Sequence, residues 1–205
     1  MSPAPAGLDV SRETAERLDA YVDLLRRWNP RINLIAPGSV QDIWNRHIID
    51  STQLFDIAPD SAVNWVDLGS GGGLPGLVCA ILSAEAGAKT DFILVESDQR
   101  KAAFLSTAIR ELGLDNTTVR AERIEALKPL GSQIVTARAL APLPALLGHV
   151  ERHLAPGGIA LLPKGAQHAD ELTEARKTWS FTWRTEPSRT DPRAAIYLIE
   201  GLSRV

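Results

Sequence analysis

The chain has 205 residues, a net charge of −3, one cysteine and 44% hydrophobic residues. This length allows one domain with a full hydrophobic core plus an appendage, and the acidic balance excludes nucleic-acid binding through the whole surface. A single cysteine excludes an internal disulfide, and no apolar run approaches membrane-spanning length. The first seven residues lack the plan of a signal peptide, so we expect a cytoplasmic protein.

The N-terminal part of the chain predicts two helices. Apolar residues at helical spacing follow Ser11, a suitable N-cap, and continue to Trp28, after which Pro30 is expected to end the helix. A second helix is predicted over residues 40–55, and Pro59 marks the boundary to the first strand. We therefore expect residues 1–60 to form a helical extension that packs on a core of residues 61–205.

Strands and helices alternate from residue 62 onwards. The predicted strands are 62–67, 92–96, 117–121, 134–137 and 159–162, and the predicted helices are 75–84, 100–112 and 143–154. Helices of this length between strands imply parallel pairing with right-handed crossovers, and hence a doubly wound α/β sheet. Two further strands, 181–184 and 194–199, have only a turn between them and are expected to pair as a hairpin, which adds an antiparallel strand to the sheet edge.

A glycine-rich loop, DLGSGGGLPG over residues 67–76, joins the first predicted strand to the next helix. Glycines allow a sharp turn and close approach of the backbone to a ligand, and the helix start offers unpaired N–H groups. Asp67 ends the first strand and Glu96 ends the second, where an acid can bind ribose hydroxyls. Two strand-end acids beside one crevice favour a site for a nucleoside-bearing cofactor.

Two classes of cofactor use such loops. The dinucleotide spacing G-x-G-x-x-G is matched by Gly71, Gly73 and Gly76, and predicts a nicotinamide-binding oxidoreductase. The pattern D-x-G-x-G-x-G, the first motif of class I S-adenosylmethionine (SAM) methyltransferases, is matched by Asp67, Gly69, Gly71 and Gly73. We favour SAM because this pattern starts where the strand ends, and because it gives the Asp67 carboxylate a role in accepting from the cofactor's ammonium. The predicted C-terminal hairpin is also typical of class I methyltransferases.

Six segments follow one another in this order: WNPRINL from Trp28, RHIIDS from Arg46, DLGSGGGLPG from Asp67, RIE from Arg123, ARA from Ala137 and KG from Lys164. Together they resemble the RsmG family, also called glucose-inhibited division protein B, from about Leu18 to about Glu171. The resemblance implies a bacterial enzyme of the Rossmann-like class I fold that uses SAM to methylate N7 of a guanine in small-subunit ribosomal RNA. Ile35 and Ser70-Gly71-Gly72 depart from the family's usual pattern, but no motif glycine is lost.

The resemblance also implies roles for individual residues. Added to Asp67, Gly71 and Glu96, it gives the following expected cofactor contacts: Gly69, Leu74, Ile124, Glu125 and Arg138. Arg138 is also expected to position the base or a phosphate, because the carboxyl end of its strand faces the crevice. The basic residues expected to contact RNA are Arg100, Lys101, Arg123, Arg138 and Lys164. For Arg123 and Lys164, the alternative is a structural ion pair with Glu125 or Glu122.

Other polar residues near these motifs allow two interpretations. His47 with Asp50 resembles a catalytic pair and Trp28 resembles a base-stacking platform, but we favour packing of the N-terminal helices over the cofactor pocket for both. Cys79 is expected in the core, and no histidine has the spacing of a metal site. We expect a monomer that binds ribosomal RNA or a ribosomal particle and neither membrane nor metal. The negative charge favours one alternative, a SAM enzyme that acts on a small molecule.

Overall fold

The structure is a computed structural model that describes residues 8–87 and 89–205. The tail predicted for the first seven residues lies outside the described residues. The helices are α1 (Arg12–Ile32), α2 (Asp50–Ile57), α3 (Gly76–Glu85), α4 (Gln99–Leu112), α5 (Leu143–His153) and α6 (His168–Ala175). The strands are β1 (Asn64–Leu68), β2 (Asp91–Val95), β3 (Thr117–Arg120), β4 (Ser132–Thr136), β5 (Leu154–Lys164), β6 (Trp179–Pro187) and β7 (Ala195–Arg204).

The strands form one seven-stranded sheet in the order β3-β2-β1-β4-β5-β7-β6. Neighbours from β3 to β5 pair in parallel, whereas β7 pairs antiparallel with both β5 and β6. This arrangement confirms the predicted doubly wound sheet and its antiparallel C-terminal strand. Since the chain winds outwards in opposite directions from β1 and β4, a crevice opens at their carboxyl ends, which is where open α/β sheets bind ligands.

Two hydrophobic clusters cover the two faces of the sheet. One joins α1, α3 and α4 to the strands and contains Leu18, Leu77 and Phe104. The other packs α5 on the opposite face and contains Leu146 and Tyr197. Because the apolar side of α1 packs in the same cluster as α3 and α4, the N-terminal helices fold as part of the same core. The division into an extension of residues 1–60 and a core of residues 61–205 stays a prediction.

The N-terminal helices differ from the prediction at two points. Ser11 is the N-cap of α1, as predicted, and accepts a hydrogen bond from the backbone of Thr14. Pro30, however, lies within the last turn of α1, and the helix ends only where Asn33 adopts a left-handed conformation. The predicted second helix is a π-helix, Trp44–Ile49, that continues directly into α2. A π-helical turn has no sequence signature of its own and is frequent at functional sites.

The region after α5 also differs from the prediction. The predicted helix 143–154 and the predicted strand 159–162 leave residues 155–158 as a connection, but β5 already begins at Leu154 and includes these residues. The pairing of β4 with β5 is irregular at this point, between Ser132 and Ile134. Helix α6 was not predicted. Its short sequence, HADELTEA, buries only Ala175, so it lacks the apolar stripe on which such a prediction depends.

Candidate cofactor and substrate site

The glycine loop between β1 and α3 turns sharply because three of its residues adopt positive φ. Gly69 has φ +68°, Gly71 +55° and Gly73 +87°, conformations that cost side-chain-bearing residues about 1 kcal/mol or more. A Cβ at Gly73 would lie 2.4 Å from Leu77, whereas a Cβ at Gly71 would meet nothing closer than 3.8 Å. Gly71 therefore leaves open space over the loop, which is the space that a ligand lying against the backbone needs.

Asp67 lies beneath this loop and is fully buried. One carboxylate oxygen accepts from the Thr136 hydroxyl at 2.8 Å, and the other accepts from the backbone N–H of Gly76 at 3.3 Å, at the start of α3. Burial raises the pKa of Asp67 to about 6, although the hydrogen bond from Thr136 acts in the opposite direction. The carboxyl group thus ties the loop to β4 and to the helix that follows. Direct contact of Asp67 with the cofactor's ammonium stays a prediction.

We expect Asp67→Asn to alter the pH dependence of the free energy of unfolding. The raised pKa means that the folded protein holds a proton which the unfolded chain releases between about pH 4 and pH 6. The stabilising effect of that proton is complete at low pH and is lost as the pH rises through 6. Its full size is on the order of 3 kcal/mol, because one pKa unit corresponds to about 1.4 kcal/mol, and about 2 kcal/mol of it is lost between pH 4.5 and pH 7.5.

Urea unfolding at pH 4.5 and pH 7.5 measures this effect as the difference between Asp67→Asn and the unmodified protein. The comparison is needed because His47, whose pKa is lowered, loses stability as the pH falls over the same interval. Asp98→Asn is the matched control: Asp98 is the N-cap of α4, and hydrogen bonds from Arg100 lower its pKa further below pH 4.5, so its contribution should be nearly the same at both pH values. A pH-independent difference for Asp67→Asn would contradict the prediction.

Glu96 faces the loop from the end of β2. Its carboxylate accepts from the backbone N–H of Gly71 at 2.9 Å and from that of Asp98 at 2.8 Å. The loop is held on the other side by Tyr21 of α1, whose buried hydroxyl donates to the carbonyl of Gly72 at 2.6 Å. The structure thus brings together Asp67, Gly71 and Glu96 as the sequence predicted.

The segment after β3 is fastened from behind by α5. The carbonyl of Ile124 accepts from His153 Nε2 at 3.1 Å, and burial lowers the pKa of this histidine. Glu125 is exposed, with a carboxylate oxygen 3.7 Å from His149 Nε2. Ile124 is buried against the core, so this segment offers a fixed backbone and one exposed carboxylate at the third strand end.

Arg138 follows β4 and is held by the N-terminal helices. Its Nη1 donates to an Asp50 carboxylate oxygen at 3.1 Å and to the carbonyl of Arg46 at 3.3 Å, and its Nη2 donates to Nδ1 of His47 at 3.0 Å. The Arg138 and Asp50 side chains are only 17% and 19% exposed. Burial, with the charges of Arg138 and Arg46, lowers the pKa of His47 to about 4, so the imidazole is neutral at pH 7. His47 and Asp50 therefore both bind Arg138.

The two residues after Arg138 lie between the glycine loop and a large cleft. Ala139 has φ +53°, a strained conformation for a residue with a Cβ. Leu140 then lies directly over Gly69, since a Cβ added there would be 2.7 Å from its Cδ1. A cleft of about 840 Å³ opens on the far side of Leu140, between the ends of β4 and β5 and the loop that joins β6 to β7. Its volume lies within the range of about 300–1,000 Å³ for ligand sites.

The charged residues that line the cleft differ in how far their side chains are exposed. Lys164 lines it, but its side chain is only 9% exposed, and its ammonium binds Glu171 at 2.6 Å and the carbonyl of Ala141 at 3.0 Å. Its partner is therefore Glu171 and not Glu122 or Glu125. Contact of Lys164 with RNA stays a prediction. Arg193, in contrast, is 75% exposed on the β6–β7 loop, where it binds Asp191.

The other basic residues predicted to contact RNA lie outside this cleft. Arg123 is exposed beyond β3, and Arg100 and Lys101 form the first turn of α4, beyond β2. The structure adds Arg46 and Arg193, which line the cleft. No motif could have indicated that Arg193 lines the cleft, because its position depends on how the β6–β7 loop docks on α2.

Two packing interpretations are supported by the contacts. Trp28 lies edge-on against Phe104 at 5.7 Å between ring centroids, and the Asn29 side chain accepts from the backbone of Ile35. Cys79 is buried in α3, as predicted.

Within residues 8–87 and 89–205, no helix is both long and apolar enough to cross a membrane, and no three metal-ligating side chains cluster.

Comparison with known proteins identifies the family. The family described as "rRNA small subunit methyltransferase G" matches residues 14–190. The chain belongs to this family. It is 54% identical over its full length and the relative's full length to the ribosomal RNA small subunit methyltransferase G of Ruegeria pomeroyi, and 52% identical to that of Paracoccus denitrificans, over 95% of the chain and 98% of the relative.

Solved structures confirm the class I methyltransferase fold. A TehB-like SAM-dependent methyltransferase from Corynebacterium glutamicum is similar with a TM-score of 0.59 at 14% identity, over 89% of this chain and 98% of that one. A SAM-dependent methyltransferase from Aquifex aeolicus has a TM-score of 0.56 at 12% identity, over 80% and 97%. Family and fold together favour the methyltransferase interpretation of the glycine loop, with SAM as the cofactor.

Proposed function

We propose that the protein transfers a methyl group from SAM to N7 of a guanine in small-subunit ribosomal RNA. The observation that carries this proposal is the 54% identity over the whole chain to a ribosomal RNA small subunit methyltransferase G. The geometry supports it, because a glycine loop with open space at Gly71 lies next to a cleft large enough for a nucleotide.

The residues of the site suit a reaction that needs no general base. SAM supplies an electrophilic methyl group on a sulfonium. Guanine N7 is an acceptor with a lone pair and no proton, so placing it in line with that methyl supplies most of the acceleration. Cys79 is buried in α3, and burial raises the pKa of its thiol, so it is not a nucleophile for carbon methylation.

Residues on both sides of Leu140 have separate roles in this proposal. The cofactor side contains the following candidate contacts: Asp67, Gly69, Gly71, Leu74, Glu96, Ile124, Glu125 and Arg138. The substrate side is the cleft, where Arg138 is the candidate for positioning the guanine. Base atoms in folded RNA are reached at loops or by extrusion, so the target is an unpaired or splayed nucleotide.

We further propose that the RNA backbone crosses the cleft mouth at Arg46 and Arg193, with Arg123, Arg100 and Lys101 contacting phosphates outside it. Arg193 holds Asp191 in hydrogen bonds that lower the pKa of that carboxyl, the charge of Arg46 acts in the same direction, and all three residues line the cleft. A local cluster of this kind lets a protein with a net charge of −3 bind a polyanion.

The double variant Arg46→Ala/Arg193→Ala is expected to weaken RNA binding and to reduce the slope of log K against log salt by roughly 1–2, because about two phosphate contacts are lost. SAM binding should not change. Arg12→Ala is the matched control: Arg12 is 87% exposed, and the start of α1 lies at Glu85, at the end of α3 remote from the cleft. An unchanged salt slope in the double variant would reject this RNA path.

A labelling experiment tests the function itself. The protein is incubated with tritiated SAM and either small-subunit particles or naked small-subunit rRNA from a strain that lacks the enzyme, and the labelled nucleotide is mapped. Label at N7 of one guanine is expected, and absence of label from every form of RNA would overturn the proposal. Turnover of a small molecule without RNA, insensitive to salt, would instead support the small-molecule alternative. We also propose that the protein acts as a monomer in the cytoplasm.

A further inference from the structure

The Arg138 guanidinium is held by three hydrogen-bonding groups from one segment, residues 46–50, about 90 positions earlier in the chain. Two are side chains, His47 and Asp50, and the third is the carbonyl of Arg46. An arginine side chain has five N–H donors, of which these contacts use three. Two donors, Nε–H and one on Nη2, have no protein acceptor among residues 8–87 and 89–205, and Arg138 lines the cleft.

The contact with His47 defines the position of the imidazole proton. A guanidinium has no lone pair, so Nδ1 of His47 accepts from Arg138, and in the neutral ring the proton then lies on Nε2. Nε2 is 2.7 Å from the Ser39 hydroxyl, which in turn donates to the carbonyl of Ala36 at 2.7 Å. Each donor in this relay has one acceptor, so the ring cannot flip without breaking two hydrogen bonds.

Asp50 is held equally firmly. One of its oxygens accepts from Arg138, and the other accepts from Gln53 at 2.9 Å and from the Thr190 hydroxyl at 2.8 Å. Gln53 also accepts from the backbone N–H of Arg189 at 3.0 Å. The carboxylate therefore joins three parts of the molecule: the π-helix and α2, the end of β4, and the loop that forms one wall of the cleft.

We propose that His47 and Asp50 are positioning residues that orient Arg138, so that its two remaining donors bind an oxyanion at the cleft. This proposal rests on the proposed function. The oxyanion is either the carboxylate of the cofactor or a phosphate of the RNA, and both suit the two donors of a guanidinium edge. Neither His47 nor Asp50 touches the reacting atoms; each acts through Arg138.

A double-mutant cycle tests this inference. His47→Phe removes the acceptor but keeps a flat ring, and it is combined with Arg138→Ala in the full-length protein. We expect His47→Phe alone to reduce kcat/KM for methyl transfer at least tenfold. In the Arg138→Ala background it should have almost no further effect, because a residue that acts only through Arg138 has nothing left to orient. Asp50→Asn carries the same cycle should His47→Phe not fold.

Two further measurements identify the oxyanion. A higher Kd for S-adenosylhomocysteine, measured without RNA, in His47→Phe, Asp50→Asn and Arg138→Ala would assign it to the cofactor carboxylate. A higher KM for RNA at unchanged Kd would assign it to a phosphate. If neither the Kd for S-adenosylhomocysteine nor the KM for RNA rises in all three variants, the proposal is rejected.

Asp56→Asn is the matched control for the cycle. Asp56 is also on α2 and binds the same loop through Arg189 at 2.6 Å, but it does not contact Arg138. It should leave kcat/KM within about twofold. Multiplicative losses for His47→Phe and Arg138→Ala would show that His47 acts independently and would overturn the proposal. Absence of methyl transfer by the unmodified protein would instead reject the proposed function.

Discussion

Gly71→Val is expected to abolish SAM binding, with a Kd at least a hundredfold higher, while the sheet stays folded. Gly71 has φ +55° and room for a Cβ, whose nearest neighbour would be 3.8 Å away, so the new side chain would occupy the space over the loop. A β-branched residue at this φ also costs about 1–2 kcal/mol of strain. The measurement is titration calorimetry with S-adenosylhomocysteine, together with thermal unfolding.

Gly113→Val separates the loss of cofactor binding from the backbone strain. Gly113 ends α4 at φ +65° with nothing within 4 Å of an added Cβ, but it lies away from the glycine loop. It should lose stability to a similar degree and keep its affinity for S-adenosylhomocysteine. Unchanged binding in Gly71→Val would show that the cofactor does not lie against this loop, and the assignment of the whole pocket would be wrong.

Arg138→Ala is expected to have the largest effect on methyl transfer, lowering kcat/KM by about 10²–10³. It removes a side chain that lines the cleft and leaves Asp50 without its cation. The stability loss should stay near 1–2 kcal/mol, because the pair is partly exposed and Asp50 keeps its hydrogen bonds to Gln53 and Thr190. Steady-state kinetics and urea unfolding measure the two quantities.

Conservative replacement sharpens this prediction. Arg138→Lys keeps the charge but not the planar fork that reaches Asp50, His47 and the carbonyl of Arg46 together, so it should restore less than a tenth of the lost activity. Asp50→Ala should lower methyl transfer less than Arg138→Ala does. Arg189→Ala removes an exposed arginine that binds Asp56 and serves as the control. Full activity in Arg138→Lys would mean that charge alone suffices.

Local sequence was sufficient to predict the parallel sheet and the glycine loop. Apolar strands that alternate with amphipathic helices leave few ways to bury both faces of a sheet, and a strand that ends in Asp67 before a run of glycines restricts the backbone to a sharp turn. The C-terminal hairpin was predictable for the same reason, since no helix separates its strands. These features depend on residues that are close together in the chain.

The partners of the charged side chains depended on tertiary structure. Lys164 binds Glu171 and neither Glu122 nor Glu125, the two acids expected from the sequence, and His47 and Asp50 bind Arg138 across about 90 residues. The π-helix at Trp44–Ile49 and the position of Arg193 likewise follow from packing. The fold class, the glycine loop and the family could be predicted from the sequence, because periodicity and motif spacing are local. Only the folded chain decided which charges meet, because an ion pair forms wherever burial brings opposite groups together.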